Sequence, residues 1–155
     1  DKLSRLHFPI IITCSSLGDC VEKYRKNKKK HLFRIDEWMM QVAINMGNTI
    51  GLAVTNSVTI APSTNLLNKL ADESGKNVSI EVVDIKDDIA RLGSIDANSS
   101  EAALICSELR DKFSFFDVVP LAQVSIAKAL EDAKFQFPKN VLRSYDYCFQ
   151  GIRKL

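Results

Sequence analysis

The chain has 155 residues, 46% of them hydrophobic, with 21 Lys and Arg against 19 Asp and Glu. That length buries a sizeable core, and the mixture of apolar and charged residues excludes disordered and fibrous classes. A formal net charge of +2 supplies no field for nucleic acid, and no apolar run reaches the roughly 18 residues of a membrane span.

Strand-length apolar runs alternate with helical patterns from the start of the chain. Phe8 to Thr13 is a continuous apolar run that ends at Cys14-Ser15-Ser16. Leu17, Cys20, Val21 and Tyr24 then recur at helical spacing, with serines to cap the first turn. The basic run Lys26 to His31, with Lys28, Lys29 and Lys30, falls where that helix ends; cations there complement the helix dipole. It has no interleaved aromatics, so it predicts no nucleic-acid contact. His31 to Ile35 reads as a short strand. Asp36 then caps a helix with Trp38, Met39, Val42, Ala43 and Met46 on one face, ended by Gly47.

Thr49 to Thr55 is the next strand, closed by the turn Asn56 to Thr59, and Pro62 suits the first turn of a helix running to about Gly75. Val78 to Val83 reads as a third buried strand, followed by a short helix and loops over 84–95. Ser99 to Phe113 is helical, with Ala102, Ile105, Cys106, Leu109 and Phe113 on one face. A strand at Phe116 to Ala122, a helix at Gln123 to Ala133, a short Val141-Leu142 strand and a last helix over Tyr145 to Leu155 complete the order. The alternation predicts an α/β protein with parallel sheets covered by helices.

In such a sheet, ligands bind beyond the carboxyl ends of the strands, where helix N-termini present free N–H groups. That rule selects Cys14, Ser15 and Ser16; Thr55, Asn56 and Ser57 with Thr59; Gln123 to Ser125; and Ser144. The set is rich in small hydroxyls and amides, which suits a small carboxylate held without a dedicated arginine. Cys14, at a strand end and a helix start, is placed to ionise below the usual thiol range. Cys20, Cys106 and Cys148 fall in apolar stripes and are expected to pack in the core. The four cysteines have neither C-x-x-C spacing nor partner histidines, so no metal and no disulfide framework is expected. Free thiols and the absence of a secretory pattern at Asp1-Lys2 predict a cytoplasmic protein. A phosphatase loop would need arginine where Cys20 stands, and neither His7 nor His31 lies at a strand end to serve a nucleophile.

The motifs Thr13-Cys14-Ser15-Ser16-Leu17-Gly18, Arg34-Ile35-Asp36-Glu37, Ile50 to Thr55 with Thr59, and Leu121 to Ile126 occur in an order that resembles the aspartate/glutamate/hydantoin racemase-like superfamily. The resemblance spans nearly the whole chain. It implies two pseudo-symmetric lobes of four-stranded parallel sheet facing each other across a cleft. Residues 1–30 and 117–155 would belong to the first lobe and 31–116 to the second. The family has a longer segment ahead of the first cysteine strand than Asp1 to Phe8, so the first lobe is expected to be incomplete, completed by a missing N-terminal segment or a homodimer partner.

The family needs no cofactor and uses two cysteines, one on each side, to exchange the proton at the substrate's alpha carbon. Cys14 corresponds to the first, and Gln123, which cannot ionise, stands at the second. The resemblance thus implies a cofactor-independent racemase- or isomerase-like protein acting on a small carboxylate of amino-acid or hydantoin type. Cys14 would be the acid/base and Ser15, Ser16, Thr55, Asn56, Thr59, Gln123 and Ser125 the ligand contacts. A single base fits isomerisation, elimination or decarboxylation better than racemisation. The alternative is a non-catalytic carboxylate-binding or regulatory module with a degenerate cleft.

Overall fold

The computed structural model describes residues 8–27 and 32–153. His7, Lys28, Lys29, Lys30 and His31, singled out in the sequence, lie outside the described residues. The element order is β1 (Ile10–Ile12), α1 (Gly18–Asn27), β2 (Leu32–Arg34), α2 (Glu37–Met46), β3 (Thr49–Val54) and α3 (Ile60–Ser74). It continues with β4 (Ser79–Asp84), α4 (Lys86–Leu92), α5 (Ser100–Ser114), β5 (Val119–Pro120), α6 (Val124–Asp132), β6 (Val141–Leu142) and α7 (Ser144–Ile152). Single 3₁₀ turns at Ser15–Leu17 and Ser57–Thr59 connect β1 to α1 and β3 to α3.

All strand pairs are parallel: β1 with β2, β3 with β4, and β5 with β6. Parallel bridges Ile50 to Val118 and Ala53 to Leu121 set β5 beside β3, giving four strands in the order β4-β3-β5-β6. Residues 117–142 therefore place their strands β5 and β6 in the sheet begun by β3.

Successive side chains of β3 point to opposite faces, as the pleat requires. Ile50, Leu52 and Val54 pack with Met39, Met40, Ala43 and Ile44 of α2 and Leu66, Leu67 and Leu70 of α3. On the opposite face Ala53 joins a second cluster with Ile105, Leu109 and Phe113 of α5 and Ile126 and Leu130 of α6. Burying each such side chain contributes roughly 1.5–3 kcal/mol, and sheet burial on both faces explains why β3 reads as an unbroken apolar run.

Two expectations are corrected. Val78 to Val83 is not a buried strand: among the described residues β4 pairs only with β3, Ser79, Glu81 and Asp84 are exposed, and Val82 is 37% exposed. It is an edge, and its two carboxylates suit an edge that must not recruit further strands. Cys20 is exposed on α1, whereas Cys106 and Cys148 are buried as expected. Gly47 ends α2 as expected, in an extended conformation, and Gly75 ends α3 in the left-handed region, with φ of 63°. No helix among the described residues is long and apolar enough to cross a membrane.

The C-terminal helix is held against α2 through a glycine. A Cβ built on Gly151 would lie 2.1 Å from the Trp38 ring, which itself stacks on Phe33 at 5.4 Å between centroids. Gly151→Ala is therefore expected to push Trp38 or α7 aside and destabilise the protein by about 1–3 kcal/mol, as overpacking does. Urea unfolding followed by Trp38 fluorescence checks this, and an unchanged midpoint would show that α7 moves away freely.

Candidate functional site

The carboxyl ends of β1, β3 and β5 bring most of the sequence-selected residues together. The Ser15 hydroxyl donates to the Ala122 carbonyl at 2.5 Å, fastening the turn after β1 to the end of β5. One residue further, the Gln123 side-chain oxygen accepts from the Thr55 backbone N–H at 3.0 Å and from the Thr55 hydroxyl at 3.2 Å. Two adjacent cross-connections thus join three strand ends that are distant in sequence.

Cys14 stands on the free side of this junction. Its thiol is exposed, and its sulfur lies 2.9 Å from the Ser16 hydroxyl oxygen. The Ser16 hydroxyl, with the backbone of Ser16 and Leu17, holds the Cys14 thiol below its ordinary range; slight burial works weakly the other way. The sequence assigned this effect to the start of a helix. The structure puts the 3₁₀ turn Ser15–Leu17 between Cys14 and α1, and the Ser16 hydroxyl is the leading cause.

The turn after β3 is largely self-satisfied. Asn56 caps it by accepting from the Val58 N–H at 3.1 Å, and the buried Thr59 hydroxyl donates to the Asn56 carbonyl at 2.7 Å. With both Thr55 donors on Gln123, the hydroxyls of Thr55 and Thr59 are committed to the fold. Ser125 is exposed in the first turn of α6.

Behind the Cys14 turn lies a buried ion pair that sequence reasoning misread. Asp36 makes no side-chain cap at α2; Arg34 holds its carboxylate with two donors, at 2.9 and 2.7 Å. A third donor of Arg34 reaches the Pro62 carbonyl of α3 at 2.8 Å. Gly18 is required here, since a Cβ on it would sit 2.3 Å from the Arg34 guanidinium. The first residue of α1 thus rests directly on a charged group, which fixes where the chain leaves the Cys14 turn.

A cleft of 790 Å³ lies among α1, β2, α2 and α3, lined by residues that include Glu22, Arg25, Phe33, Glu37 and Lys69. Sequence reading missed it, and the only signal was the Glu22 and Arg25 spacing of one helical turn. Its charges neutralise one another: Arg25 pairs with Glu22 at 3.3 Å and Glu37 at 2.9 Å, and Lys69 with Glu22 at 2.9 Å. Cys14 and the strand-end residues do not line it. Among the described residues no cluster of His, Cys, Asp and Glu is grouped to hold a metal ion. No protein-family model matches the chain, and no curated protein matches it.

Proposed function

We propose that this chain is a cofactor-independent isomerase- or racemase-like protein for a small carboxylate, with Cys14 as the group that takes and returns a proton. The observation that carries the reading is the exposed Cys14 thiol, lowered in pKa by Ser16, beside the junction of Ser15 with Ala122 and Gln123 with Thr55. The four parallel strands β4-β3-β5-β6 fit one lobe of the racemase-like arrangement, and the separate β1-β2 pair fits part of another. A second copy or a further segment of chain would complete that other lobe. Exposed, unpaired Cys14 and Cys20 suit a reducing, cytoplasmic compartment.

In the proposed step the Cys14 thiolate removes the proton alpha to the carboxylate and becomes a thiol. The carbon's electron pair moves onto the carboxylate oxygen, and reprotonation by the same thiol restores the starting carbon. Ser16 steadies the thiolate. Because Gln123 cannot deliver a proton from the opposite face, exchange with solvent is expected without inversion.

Incubation with acidic amino acids and 5-substituted hydantoins in D₂O tests this by proton NMR. Loss of the alpha-proton signal faster than in enzyme-free controls, with configuration retained, is the expected result. No exchange above those controls across the panel would reject proton transfer. A second reading, a carboxylate-binding module without turnover, is favoured by one observation: the residue that both Thr55 donors hold at the junction is Gln123, which cannot ionise, so the junction offers no second proton-transferring group beside Cys14. Saturable binding of a panel member with no exchange is its signature.

A further inference from the structure

Two neighbouring carboxylates, Asp36 and Glu37, are served very differently. Asp36 receives two donors from Arg34, at 2.9 and 2.7 Å. Glu37 receives one, the Arg25 Nη1 at 2.9 Å on its Oε1, and that nitrogen is shared with Glu22 at 3.3 Å. The other oxygen of Glu37, Oε2, is buried without a hydrogen bond. Two further buried side-chain atoms among the described residues lack a partner, the Tyr24 and Ser63 hydroxyls, but neither residue lines the 790 Å³ cleft, and Glu37 does. A buried carboxylate oxygen without a donor is costly, so it marks the place of a missing one.

Arg25, on the same cleft, is under-used in the complementary sense. Nη1 is its only nitrogen with a hydrogen bond among the described residues, and neither Nε nor Nη2 is sealed from solvent, so one edge of the guanidinium fork is free. The guanidinium lies over the Phe33 ring at 5.3 Å, and Phe33, Pro62 and Leu66 supply the apolar part of the cleft. Three acids, Asp19, Glu22 and Glu37, face three bases, Arg25, Lys26 and Lys69, while Arg34 is neutralised by Asp36. A ligand without net charge preserves that balance.

We infer that the cleft binds an α-amino acid with an apolar side chain, as a zwitterion, between Arg25 and Glu37. Its carboxylate takes the free Nε and Nη2 edge of Arg25, its ammonium supplies the donors that Glu37 lacks, and its side chain rests on Phe33 and Leu66. The Glu37 carboxylate turns readily about its last bond, so either oxygen can meet the ammonium. One shared contact is replaced by two charge-assisted pairs at constant net charge. A volume of 790 Å³ lies within the roughly 300–1,000 Å³ of small-molecule sites. Cys14 does not line this cleft, and the inference does not depend on the reading of Cys14.

L-Leucine is the probe, and Trp38, the single tryptophan, is the reporter, because its ring stacks on Phe33 at 5.4 Å. Titration of the full chain is expected to give a saturable change in Trp38 fluorescence, matched by calorimetry. 4-Methylpentanoate lacks the ammonium and 3-methylbutylamine lacks the carboxylate; each should bind at least about tenfold more weakly than leucine, the scale of one charge-assisted hydrogen bond. Glu37→Gln should weaken leucine by a similar factor without weakening 4-methylpentanoate. Arg25→Met should weaken leucine without weakening 3-methylbutylamine.

No saturable response to leucine up to about 10 mM overturns the inference, as does either single-charge analogue binding as tightly as leucine. Leucine affinity unchanged in the variants places the ligand elsewhere and overturns it equally. Circular dichroism checks that each variant folds; where one does not, the other is read alone, and the comparison of analogues on the unaltered chain decides independently. None of these failures touches proton exchange at Cys14.

Discussion

Arg34→Met is expected to lower the unfolding free energy by about 3–5 kcal/mol, the usual loss when one partner of a buried ion pair is removed. The Arg34 and Asp36 side chains are 3% and 1% exposed. Arg34 spans three elements: it lies in β2, holds the carboxylate that precedes α2, and reaches the first turn of α3 through Pro62. Methionine fills the space but leaves Asp36 charged, desolvated and without its two donors. Lysine is no rescue, since a single ammonium cannot reproduce the planar fork.

The double substitution Arg34→Met with Asp36→Leu separates lost charge compensation from lost packing. Removing both charges should recover most of the stability, because burying the pair is itself costly. Urea midpoints of the single and double variants decide it. A single-variant loss under about 1 kcal/mol would mean that water reaches the carboxylate.

The order of helices and strands was legible because its signals are local. Pro62 in the first turn of α3, Gly75 after it and the apolar stripe of α5 each act within a few residues. The open face of β4 was legible, because Ser79 and Glu81 alternate with Val78, Ile80 and Val82, whereas its place at the end of the sheet has no local signal. Asp36 shows the same limit. Its position before α2 reads as a cap, yet Arg34, two residues earlier, outcompetes the free N–H groups with two charge-assisted bonds.

At the site, the strand-end rule selected the residues that converge, since parallel strands deliver their carboxyl ends to one side. Which donors remain available was hidden. Thr55 and Thr59 look like ligand contacts in the sequence, but their hydroxyls close on Gln123 and on the Asn56 carbonyl, residues 68 and 3 positions away. A pairing over such a separation depends on β3 and β5 lying side by side, which no local pattern encodes.

Cys14→Ser is expected to reduce alpha-proton exchange by at least about 10²–10⁴-fold, because a serine hydroxyl is not ionised near neutral pH and a positioned base contributes on that scale. The side chain is exposed, so circular dichroism and thermal unfolding should be unchanged. The pH dependence gives an independent check. Ser16 stabilises the charged form of Cys14 and lowers its pKa, so the iodoacetamide rate should reach half its maximum below the value of about 8.5 for a free thiol. Ser16→Ala removes the leading cause of that lowering. The half-maximum should therefore move upward and the rate at pH 7 should fall, while the limiting rate at high pH, where the thiol is ionised in both proteins, stays similar. A wild-type half-maximum at or above that of free cysteine would leave Cys14 an ordinary surface thiol, and proton transfer at this turn would have no base.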